Sequence, residues 1–503
     1  MSAGANNVPT DPSPGVAPEP RTALQVLSHN DKKSERDGPE AISRLKRWNA
    51  WVEELAGFEK RGILRVAPNE RHASSLSNDV QVFLLWLSAN LSLNNLGAGL
   101  LGPLLLGLGF KDAAICAILG AFFGSLSTAY MCTWGPQSGN LCKQVALRFF
   151  MGYWPAKIPC LLNIILMIGY CTIDAIIAGQ VLSAVSGGGM IHRRLPQLIN
   201  DLRHQYAWLP QIIVLSVLIG CAGPRFDTSA PNRVSGGQLA AARLTYVSLC
   251  SYVPNSWAAA AADFYVYYPE DTSRRRIFSL TMTGLWVAFS LVYLTAIGLA
   301  TGTIHQPAWA EANAVSAGAL VVAAFAPLQG FGKLCAVVMS LGVVANSVPG
   351  TYSSSLGCQT LGRYGKMVPR WLWSCILVLI QLVLGLAGRQ SLFDIYSNFV
   401  ALMGYWVEFM VCICLEEDLI FHRNRVWDWS QWENRQYLPQ GWAAMASFLI
   451  GWAGAVIGMS QAWYVGPLSK LAAGADLGMW VGLGMTMITF APLRLLELEY
   501  IKR

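Results

Sequence analysis

Asp174 is the only charged side chain between Ile158 and Met190, in a stretch otherwise apolar enough to lie in a bilayer. A carboxylate at mid-membrane costs roughly 2.5 to 3.5 kcal/mol even on lenient insertion scales, so it belongs on a wetted, protein-lined path rather than against lipid. Tyr170 stands one helical turn earlier on the same face. An aromatic plate beside an ionisable group suits a flat, polar, hydrogen-bonding ligand, and Asp174 is the candidate for linking protonation to its binding. The alternative for Asp174 is a purely structural pairing with a backbone group or another span. Trp257 offers a second aromatic face, although in a chain with nineteen tryptophans a packed or interfacial role explains that residue alone equally well. Asn346 and Ser347 supply donors and acceptors of the kind that read the edge of a heteroaromatic ring. Tyr170, Asp174, Trp257 and Asn346 together are more specific than any one of them.

The elements that must position these residues are membrane helices. The chain has 503 residues, 54% hydrophobic and only 13% charged, with its apolar residues in long blocks rather than amphipathic stripes. Blocks of about 20 apolar residues are what a helix needs to cross a hydrocarbon core, and open strands could not satisfy their backbone there. The expected fold is therefore an all-α polytopic membrane protein. Spans are predicted at 82–107, 113–134, 157–185, 208–223, 240–264, 277–300, 331–357, 368–388, 393–415, 441–461 and 474–493, eleven in all, with a short capping helix over Ala317 to Pro327. Three regions follow: a cytosolic, partly disordered tail over 1–79, a transmembrane domain over 80–495, and a short cytosolic C-terminus over 496–503. The tail holds no apolar core segment, so the first span is expected to act as its own insertion signal. Its eleven basic and eleven acidic residues make it no polybasic arm for nucleic acid or anionic lipid.

Other chemistries find little support. The twelve cysteines form no CxxC pair and the six histidines are scattered, so neither disulfides nor a metal site is expected. No nucleophile elbow or phosphate loop appears; an enzyme is not expected, nor any cofactor. Gly97, Gly99 and Gly102 match GxGxxG, but no strand precedes them and they sit inside the first span, which points to helix packing or unwinding. The sequon at Asn90-Leu-Ser92 lies in the same span, out of reach of glycosylation.

Several spans carry helix-breaking residues at mid-membrane: Asn90, Asn94, Asn95, Gly97 and Gly99 ahead of Pro103, then Pro254-Asn-Ser-Trp257, then Ala345-Asn-Ser-Val-Pro349-Gly350. Unwound backbone is tolerated at that depth only where it lines an enclosed cavity, and in secondary transporters such helices hold substrate and coupling ion. Basic residues place Lys143 to Lys157, Arg274 to Arg276, Arg363 to Arg370 and His422 to Arg435 on the cytosolic side. Only three spans are visible between the loops at Lys157 and Arg275, where the charge rule requires an even number. The charged segment Ile191 to Tyr206 is too short to supply the missing crossing.

The chain resembles the fungal purine-cytosine permeases of the nucleobase-cation symporter-1 family over roughly residues 57 to 503. The resemblance rests on Glu59-Lys-Arg-Gly-Ile-Leu-Arg-Val-Ala-Pro-Asn-Glu-Arg71, Ser88-Ala-Asn90, Gly152-Tyr-Trp-Pro-Ala-Lys157 and Ala262-Asp-Phe-Tyr-Val-Tyr-Tyr-Pro269. Later in the chain come Gly404-Tyr-Trp406, Leu415-Glu-Glu417, Gly458-Met-Ser-Gln461, Tyr464-Val-Gly-Pro467 and Pro492-Leu-Arg494. It implies twelve helices built on a leucine-transporter-like core of two inverted repeats, and proton-coupled uptake of nucleobases through the plasma membrane, with the N-terminus cytosolic. By the same resemblance Ser88, Tyr170, Asp174, Trp257, Asn346, Ser347 and Pro349 fall at substrate-contacting positions.

Three of these depart from the family pattern, which has Trp at 170, Asn at 174 and Asn at 347. An Asp accepts hydrogen bonds and donates only when protonated, so the pocket is expected to favour a cationic or amine-bearing ring, or to bind together with a proton. A fourth departure accounts for the parity defect: seven residues separate Leu195-Pro196 from His204-Gln-Tyr206, where the family has a whole helix, its fourth. The expected function is a proton symporter of purines, cytosine or related planar heterocycles. The rivals are a permease for a vitamin or other amine-bearing heteroaromatic, and a non-transporting receptor or remnant that keeps the binding surface. The expected partners are the heterocycle, the proton and the lipid bilayer, with no nucleic acid.

Overall fold

The computed structural model describes residues 65–66, 68–71, 76–139, 143–186, 208–388, 392–423 and 427–501. These are almost wholly helical, as a chain must be when its backbone has no water to bond. In chain order the principal helices are α1 (Leu76–Asn90), α2 (Leu93–Leu104), α3 (Phe110–Cys132), α4 (Lys157–Val185), α5 (Trp208–Ala222), α6 (Gly236–Ser256) and α7 (Arg274–Gly302). They continue with α8 (Ala317–Ala324), α9 (Gln329–Thr360), α10 (Arg370–Gly388), α11 (Leu392–Glu416), α12 (Trp442–Gly458) and α13 (Gly478–Ile501). A two-residue antiparallel pairing, Ser460–Gln461 with Tyr464–Val465, joins α12 to the segment before α13.

Each predicted span falls on a helix. Among the described residues seven helices are long and apolar enough to cross a membrane, and two shorter apolar ones cover Gln211–Arg225 and Trp442–Gly458. The two remaining predicted spans are interrupted helices. The span at 82–107 is α1 and α2, separated by Leu91 and Ser92. The span at 240–264 is α6, which contains Pro254 and passes at Trp257 into two short 3-10 turns, Trp257–Ala259 and Ala261–Tyr265. The segment Ile191 to Tyr206, where the resemblance leads to the expectation of a missing fourth helix, lies outside the described residues, as does nearly all of the tail over 1–79.

One expectation is corrected. The Ala345 to Gly350 stretch does not interrupt its helix: α9 runs unbroken from Gln329 to Thr360 through Pro349. Nearby side chains occupy that turn, with the Thr351 hydroxyl donating to Ser347 O at 2.9 Å and the Cys171 thiol to the same oxygen at 3.4 Å. Pro349 lacks the amide hydrogen that would bond Ala345 O, a loss that a membrane helix tolerates where neighbouring protein surrounds the turn.

The helices meet closely. The glycines of the GxGxxG match serve packing: a Cβ at Gly99 would lie 2.5 Å from Ala296 Cβ on α7, and one at Gly102 would lie 2.6 Å from the Tyr246 ring on α6. The α8 helix begins on Ser316, whose hydroxyl accepts from Ala319 N, and its Gly318 N reaches Gln180 Oε1 of α4 at 3.4 Å.

Two of the sequence motifs meet in a buried ion cluster at the ends of α11 and α13. Arg494 forks onto Glu417, with both nitrogen-to-oxygen distances 3.0 Å, and its third nitrogen reaches Glu497 at 3.1 Å. Glu497 also accepts from Gly441 N at 2.6 Å, closing α12 onto the pair. All three side chains are buried. Removing one member of a buried pair costs about 3–5 kcal/mol because the other charge is left without a partner. Arg494→Met is therefore expected to lower the unfolding midpoint of the detergent-solubilised protein sharply, with part of it regained in Arg494→Met combined with Glu417→Gln. An unchanged midpoint in the single variant would show that the cluster does not hold α11 to α13.

Candidate ligand cavity at the helix breaks

The two interrupted helices are held open by side chains. At the α1–α2 break Asn95 Nδ2 donates to Asn90 O at 2.8 Å, and the Ser92 hydroxyl donates to Asn94 Oδ1. At the α6 break the Thr128 hydroxyl of α3 donates to Pro254 O at 2.7 Å, and Asn255 Nδ2 donates to Gly404 O of α11 at 3.3 Å. The breaks are also joined to each other. Asn90 gives its amide nitrogen to Trp86 O at 2.8 Å and keeps Oδ1 for Trp257 Nε1, 3.0 Å away. Trp86 and Phe264 stand edge-on to the Trp257 ring at 5.8 and 6.2 Å, so its plane is fixed from two sides.

Opposite stands α4, which presents Met167, Tyr170, Cys171 and Asp174 on one stripe, the i, i+3, i+4 and i+7 positions of a helix face. Tyr170 is backed by Phe399 of α11, edge-on at 5.9 Å. Ser347 of α9 donates to Asp174 Oδ2 at 3.2 Å. Two of the three departures from the family pattern, Asp at 174 and Ser at 347, are therefore in direct contact. Asn94 faces the same carboxylate and Ser256 faces the Tyr170 hydroxyl.

These elements enclose a cavity lined by Asn90, Asn94, Asn95, Tyr170, Asp174 and Trp257, with Cys171, Ser256, Asn346 and Gly350 completing the polar and close-packed wall. Its volume is about 30 Å³, room for a water or two rather than a ring, so a planar ligand enters only as the walls separate. Three polar atoms of lining residues are buried without a close hydrogen bond: Tyr170 Oη, which has Ser256 nearby, Asp174 Oδ1, on the carboxylate that Asn94 faces, and Asn346 Oδ1. Buried polar groups are satisfied in the great majority of cases. Three orphans around one cavity mark a place that a polar guest would complete.

Of the seven residues singled out from the sequence, Tyr170, Asp174, Trp257 and Asn346 are brought together on the cavity wall, and Ser347 supports it through Asp174. Ser88 and Pro349 are not on the wall; the Ser88 hydroxyl turns back to Leu85 O at 3.3 Å. Asn90, Asn94 and Asn95 are lining residues that the sequence offered only as helix breakers. Polar side chains inside an apolar span were the available signal, but helical phase cannot be carried across a break.

Residues 67–200 match the model of a family described as permeases for cytosine/purines, uracil, thiamine and allantoin. A vitamin B6 transporter of Saccharomyces cerevisiae is 28% identical, over 96% of this chain and 95% of its own. The aligned stretch, 566 positions, is longer than this 503-residue chain, so the relative carries residues within it that this chain lacks. A purine-cytosine permease of Emericella nidulans is 29% identical over 89% of this chain and 90% of its own. Among solved structures, a nucleobase-cation-symport-1 family transporter in a closed conformation with bromovinylhydantoin bound superposes with a TM-score of 0.62, covering 88% of this chain and 96% of that one at 11% identity. The likeness gives the fold, a leucine-transporter-like helical core.

The α4–α9 contact beneath the cavity has no slack. A Cβ at Gly350 would come within 2.9 Å of Cys171 Sγ, and overpacking of this kind costs about 1–3 kcal/mol. Gly350→Val is expected to lower the thermal midpoint, and Cys171→Ala to restore part of it in the double variant. Additive losses in the two variants would show that these residues do not press on one another.

Proposed function

For a chain that belongs to the purine-cytosine permeases of the nucleobase-cation symporter-1 family, we propose transport of a planar heteroaromatic that presents hydrogen-bond donors, together with a proton, across the plasma membrane. The observation that carries this reading is Asp174 on the cavity wall, its Oδ1 buried without a close hydrogen bond. A carboxylate only accepts, so the guest that completes it must donate, as an amino group, a ring N–H or a cationic ring nitrogen does. Asn346 shows its oxygen to the same space, and a turn of its amide would offer the nitrogen instead. Trp257 and Tyr170 supply the faces for a ring, and the Tyr170 hydroxyl a further polar contact.

The donor requirement covers both kinds of relative. Cytosine carries an exocyclic amine, and a vitamin B6 pyridine carries hydroxyls and a protonatable nitrogen. The Asp174–Ser347 contact favours the second class. In the family pattern both positions are Asn, which can donate as well as accept, whereas here the pair spends its one hydroxyl proton internally and leaves an acceptor facing the cavity. Asp174 is also the group through which protonation would be linked to binding: left ionised it holds a ring that arrives carrying its own proton, whereas a proton on Oδ1 would remove the acceptor that such a ring needs. Chemistry on the substrate is no part of the proposal: family members are transporters. The permease domain is assigned to 80–495 with the N-terminal tail cytosolic.

A second reading has its own support. The relative aligned end to end carries residues that this chain lacks, and the sequence is short of one helix between Leu195 and Tyr206. A chain that binds without cycling would be a receptor or remnant. Binding and uptake of the same labelled heterocycles in the same membranes separate the two: uptake supports the permease, and saturable binding without uptake supports the receptor.

Base-aromatic stacking is worth roughly 1 to 3 kcal/mol. Trp257→Ala is expected to abolish binding of labelled cytosine or pyridoxine, whichever binds the parent, while Trp257→Phe retains part of it. Equal loss in both variants would contradict stacking, and unchanged affinity in Trp257→Ala would place the ligand elsewhere. Tyr170→Trp combined with Asp174→Asn is expected to move the ranking of a heterocycle panel toward cytosine and purines. Identical rankings in parent and variant would show that these positions do not set the preference.

A further inference from the structure

A second carboxyl lies inside the helical core, away from the ligand cavity. Glu408 belongs to α11, eight residues from its end at Glu416, a depth of about 12 Å along the axis. Its partner is the Ser127 hydroxyl of α3, 3.2 Å from both carboxyl oxygens. One hydroxyl has one proton to donate, so an ionised Glu408 leaves an oxygen poorly served. A proton on the carboxyl resolves the geometry: one oxygen accepts from Ser127 and the other donates back to it. A polar stripe continues from Glu408 toward the helix end at the spacing of one turn. Cys412 follows, its thiol donating to Glu416 Oε1 at 3.5 Å, and Glu416, which faces the backbone of Ala491, keeps a buried Oε2 without a close hydrogen bond.

The place of Glu408 is as notable as its surroundings. Thr128, next to Ser127, holds Pro254 O at the α6 break, and Asn255 of that break bonds Gly404, one turn before Glu408 on α11. Helix α11 also carries Phe399, the ring behind Tyr170. Glu408 thus sits where α3, the break that positions Trp257, and α11 meet.

We propose that Glu408 is a proton-binding site separate from the ligand cavity, reached along the Cys412–Glu416 stripe, and that its proton sets the contact between α3 and α11. Cys412 is the titratable group that faces Glu408, and those on the neighbouring helices are engaged elsewhere. On α3 the Tyr130 hydroxyl donates to Asp418, which also pairs with Arg274 of α7. On α6 Tyr252, and on α11 Tyr405, are given to Asp476. On α13 Arg494 and Glu497 are bound with Glu417. On α4 the one carboxylate is Asp174, held by Ser347. Among the described residues no ion pair to Glu408 is formed. The proton site stands on this geometry alone; only a role in coupling rests on the transport reading above.

The test uses the full chain in lipid vesicles without ligand, by infrared difference spectroscopy between acidic and alkaline buffers, repeated in heavy water. The expected parent spectrum has a protonated-carboxyl band that is lost in Glu408→Gln, displaced in frequency in Ser127→Ala, and kept in Asp174→Asn. Identical difference spectra for parent and Glu408→Gln would overturn the proposal. If Glu408→Gln does not fold, Ser127→Ala decides: a displaced band supports the site, and an unmoved spectrum overturns it. Cytosine and pyridoxine are then added to parent vesicles. If neither binds, that counts against the transport reading and leaves the infrared result as it stands.

Discussion

Unwound backbone inside a bilayer must be satisfied by protein, and the architecture around the cavity follows from that constraint. Two helices are interrupted at mid-membrane, one after Asn90 and one after Ser256. Freed carbonyls are met by Asn95 and by Thr128 of α3, and the Asn255 side chain anchors the second break to Gly404 O of α11. Each of these side chains ties a break to a neighbouring element, so the breaks cannot shift independently. The Asn90–Trp257 hydrogen bond then joins one break to the other and fixes the ring that faces the cavity. A polar, enclosed space at mid-depth is the consequence of holding two broken helices side by side.

The opposite wall answers a different demand. Helices α4 and α9 are continuous, and their contribution is side-chain chemistry rather than exposed backbone. Asp174 can stay in an apolar span because Ser347 holds one of its oxygens and the cavity takes the other. The resemblance leads one to expect Asn at both positions, and the contact gives the pair found here a physical sense: a hydroxyl at 347 suits a carboxylate at 174. The Glu408 site repeats the theme on α3 and α11, with a serine hydroxyl against a lone carboxyl inside the core.

Much of this was legible in the sequence because the bilayer makes the signals strong. Apolar blocks of span length located the helices, and the stripe of Tyr170 and Asp174 survived intact because helical phase is reliable within an unbroken helix. Trp257 and Asn346 joined it through their place beside helix-breaking residues and by the family resemblance. What escaped had physical reasons. Asn90, Asn94 and Asn95 straddle a break, across which phase is lost. The Ala345 to Gly350 stretch contains a proline and read as a break, but local hydroxyls and a thiol from α4 occupy the turn and the helix continues. Ser88 carries no mark that distinguishes a lining hydroxyl from one bonded back to its own helix. Glu408 lies in a predicted span, but nothing in a single sequence tells that Ser127, far away in the chain, would meet it.

Recognition by these residues requires that the ligand sit in the cavity between Trp257 and Asp174. The most direct measurement is an electron cryomicroscopy structure of the full chain with cytosine or pyridoxine bound. The expected result is a ring between Trp257 and Tyr170, with a donor of the ligand on Asp174 Oδ1 and the cavity widened around it. Ligand density outside these residues, with Asp174 Oδ1 left unmet, would contradict the account.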